Sequence, residues 1–320
     1  MTSPEHLLTR RQALGLAGMT VLLSACSPRR PAAASTAAPA TATPTATASP
    51  SSAAPSPSTP PKPVTVPYGS DPSQIADLYL PAGTAMAAVA VVIHGGYWQK
   101  DYGYDLGAPL AEVLATEGLA VWNIEYRRVG NGGGWPATFE DVAAAIDALA
   151  DKGQAAAGGR LDLTRVATLG HSAGGTFAVW AAARKRLPAT APGAHPRFAV
   201  VGAVSQAGVL NLRAGAADGL GGGAVQSLLG GEPAKYPARY AAADPIALLP
   251  IGVPVTLVHG TKDYVVPMDE SESYVAAATA AGDHPRLLRI EGADHFALID
   301  PAKPAGRACL DAVHHILKRA

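Results

Sequence analysis

A series of uninterrupted apolar runs constrains the fold of this chain more than any other feature. Each run is short and ends in glycine, histidine or a polar residue. The runs lie at residues 87–96, 119–127, 165–172, 197–208, 253–260 and 285–293. A strand that is apolar along its whole length is buried on both faces, and such strands build parallel sheets. These runs therefore predict the strands of a mostly parallel sheet.

Apolar residues recur at helical spacing between the runs. Within residues 138–151, for example, Phe139 and Val142 fall on one side of a helix. Residues 269–282 and 306–319 carry the same pattern. Strands that alternate with helices predict a doubly wound α/β fold, in which helices cover both faces of the sheet. Ligands bind such folds beyond the carboxyl ends of the strands.

The composition divides the chain and excludes some functions. Residues 31–60 contain only Ala, Pro, Ser and Thr, which cannot bury enough apolar surface to offset the entropy of ordering. We therefore predict a disordered tether over residues 27–63 and one α/β domain over residues 64–320. The 25 Lys and Arg balance the 25 Asp and Glu, so nothing indicates a nucleic-acid partner. The 2 cysteines lie far apart and no metal-ligand spacing occurs, so we expect no metal and no cofactor.

The first 26 residues have the features of a signal peptide. Arg10 and Arg11 precede an apolar stretch that is too short to span a bilayer comfortably. "TRRQAL" looks like a twin-arginine export signal, and "LSAC" resembles a lipobox, which implies lipidation of Cys26. An ordinary amphipathic first helix is the alternative, but the predicted tether leaves it nothing to pack on. We therefore expect an exported protein, either anchored through Cys26 to the outer face of the cytoplasmic membrane or periplasmic or extracellular. Cys309 is the one cysteine of its domain.

A candidate nucleophile lies where one predicted strand meets a predicted helix. Residues 170–174, Gly-His-Ser-Ala-Gly, fit the pattern G-x-S-x-G around Ser172. The pattern is weak by itself, because the chain has 34 glycines. The glycines suit a sharp strand-to-helix turn, which forces a strained backbone at the serine and leaves no room for neighbouring side chains. Ser172 needs a base and an acid to act as a nucleophile.

His295 and Asp263 are the candidate partners of Ser172. His295 follows the last apolar run, close to the end of the chain, and Asp263 follows the run 253–260. The order Ser, Asp, His is the one found when a strand-to-helix turn carries the nucleophile. Asp294 is a poor rival acid, because a carboxylate rarely reaches Nδ1 of the histidine next to it in a loop. Asp269 and Asp244 could replace Asp263 only with unusual loops. We interpret His259 as fixing a loop, and His171 as the variable position of the motif.

The segment "HGGYW" at residues 94–98 supplies a fourth element. A developing oxyanion needs backbone N–H donors, and glycines let the backbone approach without a Cβ in the way. Gly95 and Gly96 are predicted to shape this oxyanion hole, with the N–H of Ala173 as a donor. We interpret His94 as a structural residue.

These motifs together resemble those of the α/β-hydrolase superfamily over residues 75–318. More narrowly, "HGGYW" and "GHSAGG" are similar to the signature and elbow of kynurenine formamidase, in the esterase and arylformamidase branch. The resemblance implies a serine hydrolase that cleaves small carboxylic esters or formamide-like amides. Trp135 then either edges the cleft or packs on the core, and Arg127 and Arg128 pair with nearby carboxylates. Residues 208–250 form either a substrate cover or a passive crossover.

Two alternatives to this function stay open from the sequence. A serine peptidase related to prolyl oligopeptidase shares the order of the triad, but such enzymes usually carry a large N-terminal propeller. A lipoprotein that binds ligands on a hydrolase scaffold without catalysis is the second alternative. The intact set of Ser, Asp, His and glycines argues against it. Nothing in the sequence indicates the natural substrate or the oligomeric state.

Overall fold

The computed structural model of the chain describes residues 61–320. The predicted signal peptide, Cys26 and the tether as far as residue 60 lie outside the described residues. Within residues 61–320, no helix combines the length and the apolar character that crossing a membrane requires.

An eight-stranded sheet forms the centre of the described part of the chain. The strands are β1 (Val64–Pro67), β2 (Ile75–Tyr79), β3 (Ala87–Ile93), β4 (Ala120–Ile124), β5 (Leu161–His171), β6 (Gly202–Gln206), β7 (Val255–Gly260) and β8 (Arg286–Ile290). Their order is β1-β2-β4-β3-β5-β6-β7-β8. The pairs β1–β2 and β2–β4 are antiparallel and the other pairs are parallel. The carboxyl ends of β3 to β8 therefore meet at one edge of the sheet.

Helices cover both faces of this sheet. They are α1 (Ala108–Thr116), α2 (Ala137–Asp147), α3 (Lys152–Ala156), α4 (Ala173–Ala182), α5 (Leu212–Ala217), α6 (Leu220–Leu229), α7 (Pro237–Ala243), α8 (Met268–Ala280) and α9 (Pro304–Arg319). Every residue of β3 is buried, and its side chains alternate between two cores. Val89 and Val91 belong to the core that includes residues of α2, α4 and α8, whereas Ala90 and Val92 belong to the core that includes residues of α1 and α9. The doubly wound α/β prediction is confirmed.

Every apolar run overlaps a strand, and the helices predicted over residues 138–151, 269–282 and 306–319 correspond to α2, α8 and α9. The helix predicted after Ser172 is α4. β1 and β2, the antiparallel pair at the edge of the sheet, correspond to none of the predicted strands. The four residues of β1 are mostly exposed, so this strand has no apolar run to reveal it. Edge strands of this kind are defined by their pairing more than by their composition.

Residues 208–250 carry α5, α6 and α7 between β6 and β7. Two buried carboxylates hold the start of this segment. Glu270 Oε2 accepts hydrogen bonds from the N–H groups of Leu210 and Asn211, at 2.9 and 2.8 Å. Asp244 accepts from the N–H groups of Leu212 and Arg213, at 3.0 and 3.3 Å. Glu270 on α8 thus bonds the segment to the rest of the fold, whereas Asp244 lies inside the segment and bonds its end to its start.

Candidate active site

Ser172 occupies the sharp turn between β5 and α4. Its backbone has φ 54° and ψ −120°, a conformation that an L-residue other than glycine rarely adopts. The Ser172 N–H donates to the carbonyl of Gln206 at 2.8 Å, and the Ser172 carbonyl accepts from Gly175 N–H at 2.8 Å. Such strain costs about 1–3 kcal/mol and is concentrated at functional sites. The local geometry is that of a strand-to-helix elbow presenting a serine.

The two glycines that flank Ser172 are required by close backbone contacts. A Cβ on Gly170 would lie 2.0 Å from the carbonyl oxygen of Gly174, and a Cβ on Gly174 would lie 2.1 Å from the carbonyl oxygen of Ile93. No side chain fits at either position without moving backbone. The predicted steric reason for the glycines is confirmed.

His295 and Asp263 come together as the spacing of their loops predicts. His295 Nδ1 lies 2.6 Å from Asp263 Oδ2, and the exposed fractions of the two side chains are 4% and 1%. Nδ1–H donates to the carboxylate, which leaves Nε2 of His295 available as a base. Asp263 follows β7 and His295 follows β8, so neighbouring strands place the pair.

Additional hydrogen bonds hold the Asp263 carboxylate. Its Oδ1 accepts from the N–H groups of Val265 and Val266, both at 2.9 Å. His259 Nε2 lies 3.5 Å from its Oδ2 and 3.0 Å from the carbonyl oxygen of Val266. Burial by itself raises the pKa of Asp263, but hydrogen bonds from His259 and His295 outweigh burial and hold this pKa well below its usual range. Asp263 is therefore an anion that orients His295, and His259 fixes the loop.

The rival acids have other partners. Asp294 begins the 3-10 turn His295–Ile299, where its Oδ1 accepts from the N–H groups of Phe296 and Ala297 at 3.1 and 2.8 Å. Asp244 holds the backbone of residues 212 and 213. Asp269 lies in the first turn of α8. The Asp294 turn orients the loop that carries His295, a role that the sequence does not predict.

A cavity of about 450 Å³, partly open to solvent, contains Ser172 and His295 in its wall. Its other lining residues are Gly96, Tyr97, Tyr102, Leu106, His171, Val265, Phe296 and Ile299. The hydrogen bonds found among residues 61–320 do not include one from the Ser172 hydroxyl to the His295 ring. Bonds between a nucleophile and its base are often long without substrate and tighten when it binds.

The loop after β3 approaches Ser172 closely. A Cβ on Gly95 would lie 3.1 Å from Ser172 Cβ and 2.8 Å from the carbonyl oxygen of His171, and Gly96 has φ 108°. The N–H groups of Gly96 and Ala173 donate to no acceptor among residues 61–320. Free N–H groups beside a nucleophile are what an oxyanion hole requires. The oxyanion roles of Gly95, Gly96 and Ala173 stay predictions that this geometry permits.

A buried charged cluster holds the loop that follows β3. His94 Nε2 lies 3.0 Å from Glu125 Oε1, to which Arg128 Nη1 donates at 2.6 Å. Arg128 also donates to the carbonyl of Tyr102, at the cavity wall. Burial raises the pKa of Glu125, but hydrogen bonds from His94 and Arg128 outweigh it and lower this pKa. The Tyr126 hydroxyl donates to the His94 carbonyl at 2.8 Å. The structural interpretation of His94 and the pairing of Arg128 are confirmed.

Arg127 pairs with a carboxylate outside the cavity wall. Arg127 forms a two-bond pair with Asp141, at 2.8 and 2.7 Å, as expected.

Trp135 packs on Phe139, with ring centroids 5.1 Å apart, and is not in the cavity wall. None of the cavity-lining residues comes from 208–250, so the cover stays a prediction. Among residues 61–320 the structure groups no His, Cys, Asp and Glu side chains that could hold a metal ion.

The sequence profile of the family described as BD-FAE matches residues 76–277 of this chain. The chain belongs to the BD-FAE family. The match begins at β2 and ends inside α8, so it includes Ser172 and Asp263 but not His295.

Curated relatives of this BD-FAE family member are named as esterases. Isoprenylcysteine alpha-carbonyl methylesterase ICME of Arabidopsis thaliana is 28% identical over 263 residues, which are 75% of this chain and 58% of that protein. Esterase LipC of Mycobacterium tuberculosis (strain ATCC 25618 / H37Rv) is 29% identical over 256 residues, 74% of this chain and 60% of that protein. The chain thus spans less than two thirds of the length of these relatives.

Solved structures similar to this BD-FAE family member share its fold. A truncated carbohydrate esterase from gut microbiota has a TM-score of 0.68 and 21% identity, covering 82% of this chain and 97% of that one. The propionate-bound thermophilic esterase Est2 of Thermogutta terrifontis has a TM-score of 0.64 and 23% identity, covering 81% and 94%. These similarities and the sheet topology confirm the predicted α/β-hydrolase fold. The narrower resemblance to kynurenine formamidase stays a prediction.

Proposed function

We propose that this protein is a serine hydrolase that cleaves small carboxylic esters through Ser172, His295 and Asp263. The observation that carries the proposal is the 2.6 Å hydrogen bond between His295 Nδ1 and Asp263 Oδ2, in a cavity whose wall also contains Ser172. The names of the curated relatives support ester hydrolysis. A formamide-like amide is the second substrate class, and only the resemblance to kynurenine formamidase favours it.

In the acylation step, Ser172 Oγ attacks the ester carbonyl while His295 Nε2 takes its proton. The bond from Oγ to the carbonyl carbon forms, and the electron pair of the carbonyl moves to its oxygen. The N–H groups of Gly96 and Ala173 stabilise this oxyanion. The tetrahedral intermediate collapses, the bond to the leaving oxygen breaks, and His295 returns its proton to that oxygen.

In the deacylation step, water replaces the alcohol. His295 Nε2 takes a proton from water as it attacks the acyl carbon, and the proton then goes to Ser172 Oγ when the acyl bond breaks. The Asp263 carboxylate keeps the proton of His295 on Nδ1 in both steps and stabilises the charged imidazole. No cofactor takes part in either step.

The size and the polarity of the cavity set the substrate range. Its volume of about 450 Å³, which includes space open to solvent, is near the lower end for ligand cavities and suits a short acyl group. The lining contains no Asp, Glu, Lys or Arg side chain, and the walls are formed by residues such as Leu106, Val265 and Ile299. A charged acyl group would lose its hydration there without gaining a partner. The preferred substrates are therefore uncharged esters of short acids.

Covalent labelling tests the nucleophile. A fluorophosphonate probe should label the purified full chain at Ser172, and mass spectrometry of the digested protein should identify the modified peptide. Ser172→Ala should abolish both labelling and hydrolysis of p-nitrophenyl acetate. Ser227→Ala is the matched control, because Ser227 is an exposed serine on α6 outside the cavity wall. A folded wild-type protein that is neither labelled nor active would end the proposal and favour a binding lipoprotein.

A substrate panel separates the remaining alternatives. Short acyl esters, an N-formyl arylamine and short prolyl peptides should be compared at equal enzyme concentration. Preference for the esters supports the proposal, whereas faster cleavage of the arylamine would identify an arylformamidase. Cleavage of the peptides alone would identify a peptidase.

We also propose that the protein is exported and held at the membrane through a lipid on Cys26. The support is the sequence pattern of residues 1–26 and the tether that follows it. Cells expressing the full chain should incorporate labelled palmitate into it and keep it in the membrane fraction. Cys26→Ser should prevent both, and equal incorporation by this variant would contradict the proposal.

A further inference from the structure

The cavity has an aromatic mouth that the reaction itself does not require. Phe296 and Tyr102 both line the cavity, yet 60% of Phe296 and 47% of Tyr102 are exposed. Single exposed apolar side chains are common on protein surfaces and need no explanation. These two differ because they border the same opening as Ser172 and His295. A substrate that enters this opening covers them.

The chemistry of His295 tells which part of the substrate meets Phe296. The leaving atom receives its proton from His295 Nε2 and so lies within hydrogen-bond distance of that ring. Phe296 directly follows His295, and its ring centroid lies 5.4 Å from that of the imidazole, at an interplanar angle of 86°. Whatever is attached to the leaving atom therefore lies beside the Phe296 ring.

Tyr102 lies beside the proposed oxyanion loop, whereas Phe296 lies beside the base. A Cβ on Gly96, in the proposed oxyanion loop, would lie 2.3 Å from Tyr102 Cβ. Tyr102 is also held through its backbone carbonyl by Arg128. The mouth thus has one aromatic ring beside the base and another beside the oxyanion loop, and none of the cavity-lining side chains is an acid, a lysine or an arginine.

We infer that Phe296 forms the leaving-group site, and that this site takes a flat, uncharged ring such as a phenol or a ring-bearing alcohol. This inference rests on the proposed hydrolase function and adds the chemical class of the leaving group. A ring stacked on Phe296 gains more binding free energy than its buried area alone provides, because aromatic faces and edges attract each other. An alkyl leaving group on an ester of the same acid gains only the hydrophobic free energy of the smaller area that it buries.

The test compares phenyl acetate with ethyl acetate in wild type and Phe296→Leu. Both esters transfer the same acetyl group, so the ratio of variant to wild-type kcat/KM cancels their different reactivity. Phe296→Leu should lower kcat/KM for phenyl acetate by about tenfold, chiefly through KM, and for ethyl acetate by less than about twofold. Phe296→Tyr should keep the wild-type ratio of the two esters. An equal loss on both esters, or a larger loss on ethyl acetate, would overturn the inference.

Two controls separate this inference from the proposed function. Tyr264→Leu makes the same kind of change at a tyrosine that is 89% exposed and outside the cavity wall, and it should leave both esters unaffected. Labelling by a small fluorophosphonate depends on Ser172 and its base and not on a ring in the leaving group. Labelling of Phe296→Leu at the wild-type rate with an unchanged preference for phenyl acetate would leave the hydrolase standing and reject the leaving-group site.

Discussion

His171 and His295 are joined by a hydrogen bond and by contact of their rings. His171 Nε2–H donates to the backbone carbonyl oxygen of His295 at 3.0 Å, and the ring centroids lie 4.4 Å apart. Because His171 directly precedes Ser172, this bond connects the turn of the proposed nucleophile to the loop of the proposed base. Burial, together with the nearby His295, lowers the pKa of His171 to about 3. The ring is therefore neutral near pH 7 and its one proton is committed to this bond.

Removing that bond should slow the chemical step. His171→Ala is expected to lower kcat about ten- to hundredfold, because even a small misplacement of the base is costly. His171→Gln should recover most of the loss, since its amide N–H can reach the same carbonyl. Steady-state kinetics on p-nitrophenyl acetate from pH 5 to 9 provide the measurement.

The shape of the pH profile should be the same in wild type and His171→Gln, because His171 does not titrate in that range. Equal losses in the Ala and Gln variants would mean that His171 acts through packing alone.

Asp263→Asn should leave the fold intact and nearly abolish turnover. An amide at this position no longer holds the proton of His295 on Nδ1, so kcat should fall about 10³- to 10⁴-fold. Hydrolysis of p-nitrophenyl acetate under saturating substrate measures the effect.

Asp294→Asn is the matched control for this change. Asp294 accepts N–H bonds from residues 296 and 297, and an asparagine oxygen can accept the same bonds. We expect kcat within about threefold of wild type for this variant. A similar collapse in both variants would point to general disruption of the loop rather than to the Asp263–His295 pair.

Gly174→Ala should destabilise the fold as well as the site. Its Cβ would lie 2.1 Å from the Ile93 carbonyl oxygen, and only a shift of α4 or β3 can relieve this clash. Overpacking of this kind costs about 1–3 kcal/mol or more of the free energy of unfolding.

Urea denaturation followed by circular dichroism measures the free energy of unfolding of this variant. Gly153→Ala in α3 is the comparison, because its Cβ would come no nearer than 3.2 Å to a flexible leucine end. This second variant should match or exceed wild type, since alanine favours a helix over glycine by about 1 kcal/mol. Similar stability of the two variants would contradict the steric explanation.

Glu270→Gln should stabilise the protein at high pH. Burial is the largest influence on Glu270 and raises its pKa from 4.5 to about 7. A raised folded-state pKa means that the folded protein holds this proton more tightly than the unfolded chain does. Stability due to Glu270 is therefore greatest below pH 4.5 and declines as the pH rises to about 7.

Glutamine keeps an oxygen for the N–H groups of Leu210 and Asn211 without the buried charge. The free energy of unfolding of the variant should exceed that of wild type by on the order of 2 kcal/mol at pH 8, and by much less at pH 5. Urea denaturation at both pH values measures the difference. Glu272→Gln, an exposed residue of the same helix, should show no such dependence. A gain that is equal at both pH values would contradict the assignment.

Much of the candidate site follows from topology that the sequence makes visible. Ser172, Asp263 and His295 each follow an apolar run, and a parallel sheet brings the ends of such runs to one edge. The sequence does not reveal the other residues that contribute to the site. The Asp294 turn and the bond from His171 to His295 depend on the path of a loop, and Phe296 faces the cavity only because that loop turns there. Trp135 could pack in two ways, and only its contact with Phe139 decided between them.

By itself, the sequence determined the alternation of buried strands and helices, the glycines around Ser172, and the order of the three proposed catalytic residues. Hydrophobic periodicity and steric demands are local properties, so a single chain displays them. Tertiary structure alone decided the antiparallel strands β1 and β2, the burial and hydrogen bonds that shift the pKa values of Asp263, His171 and Glu270, and the aromatic mouth of the cavity. These depend on which distant residues come into contact, and that is set by packing over the whole domain.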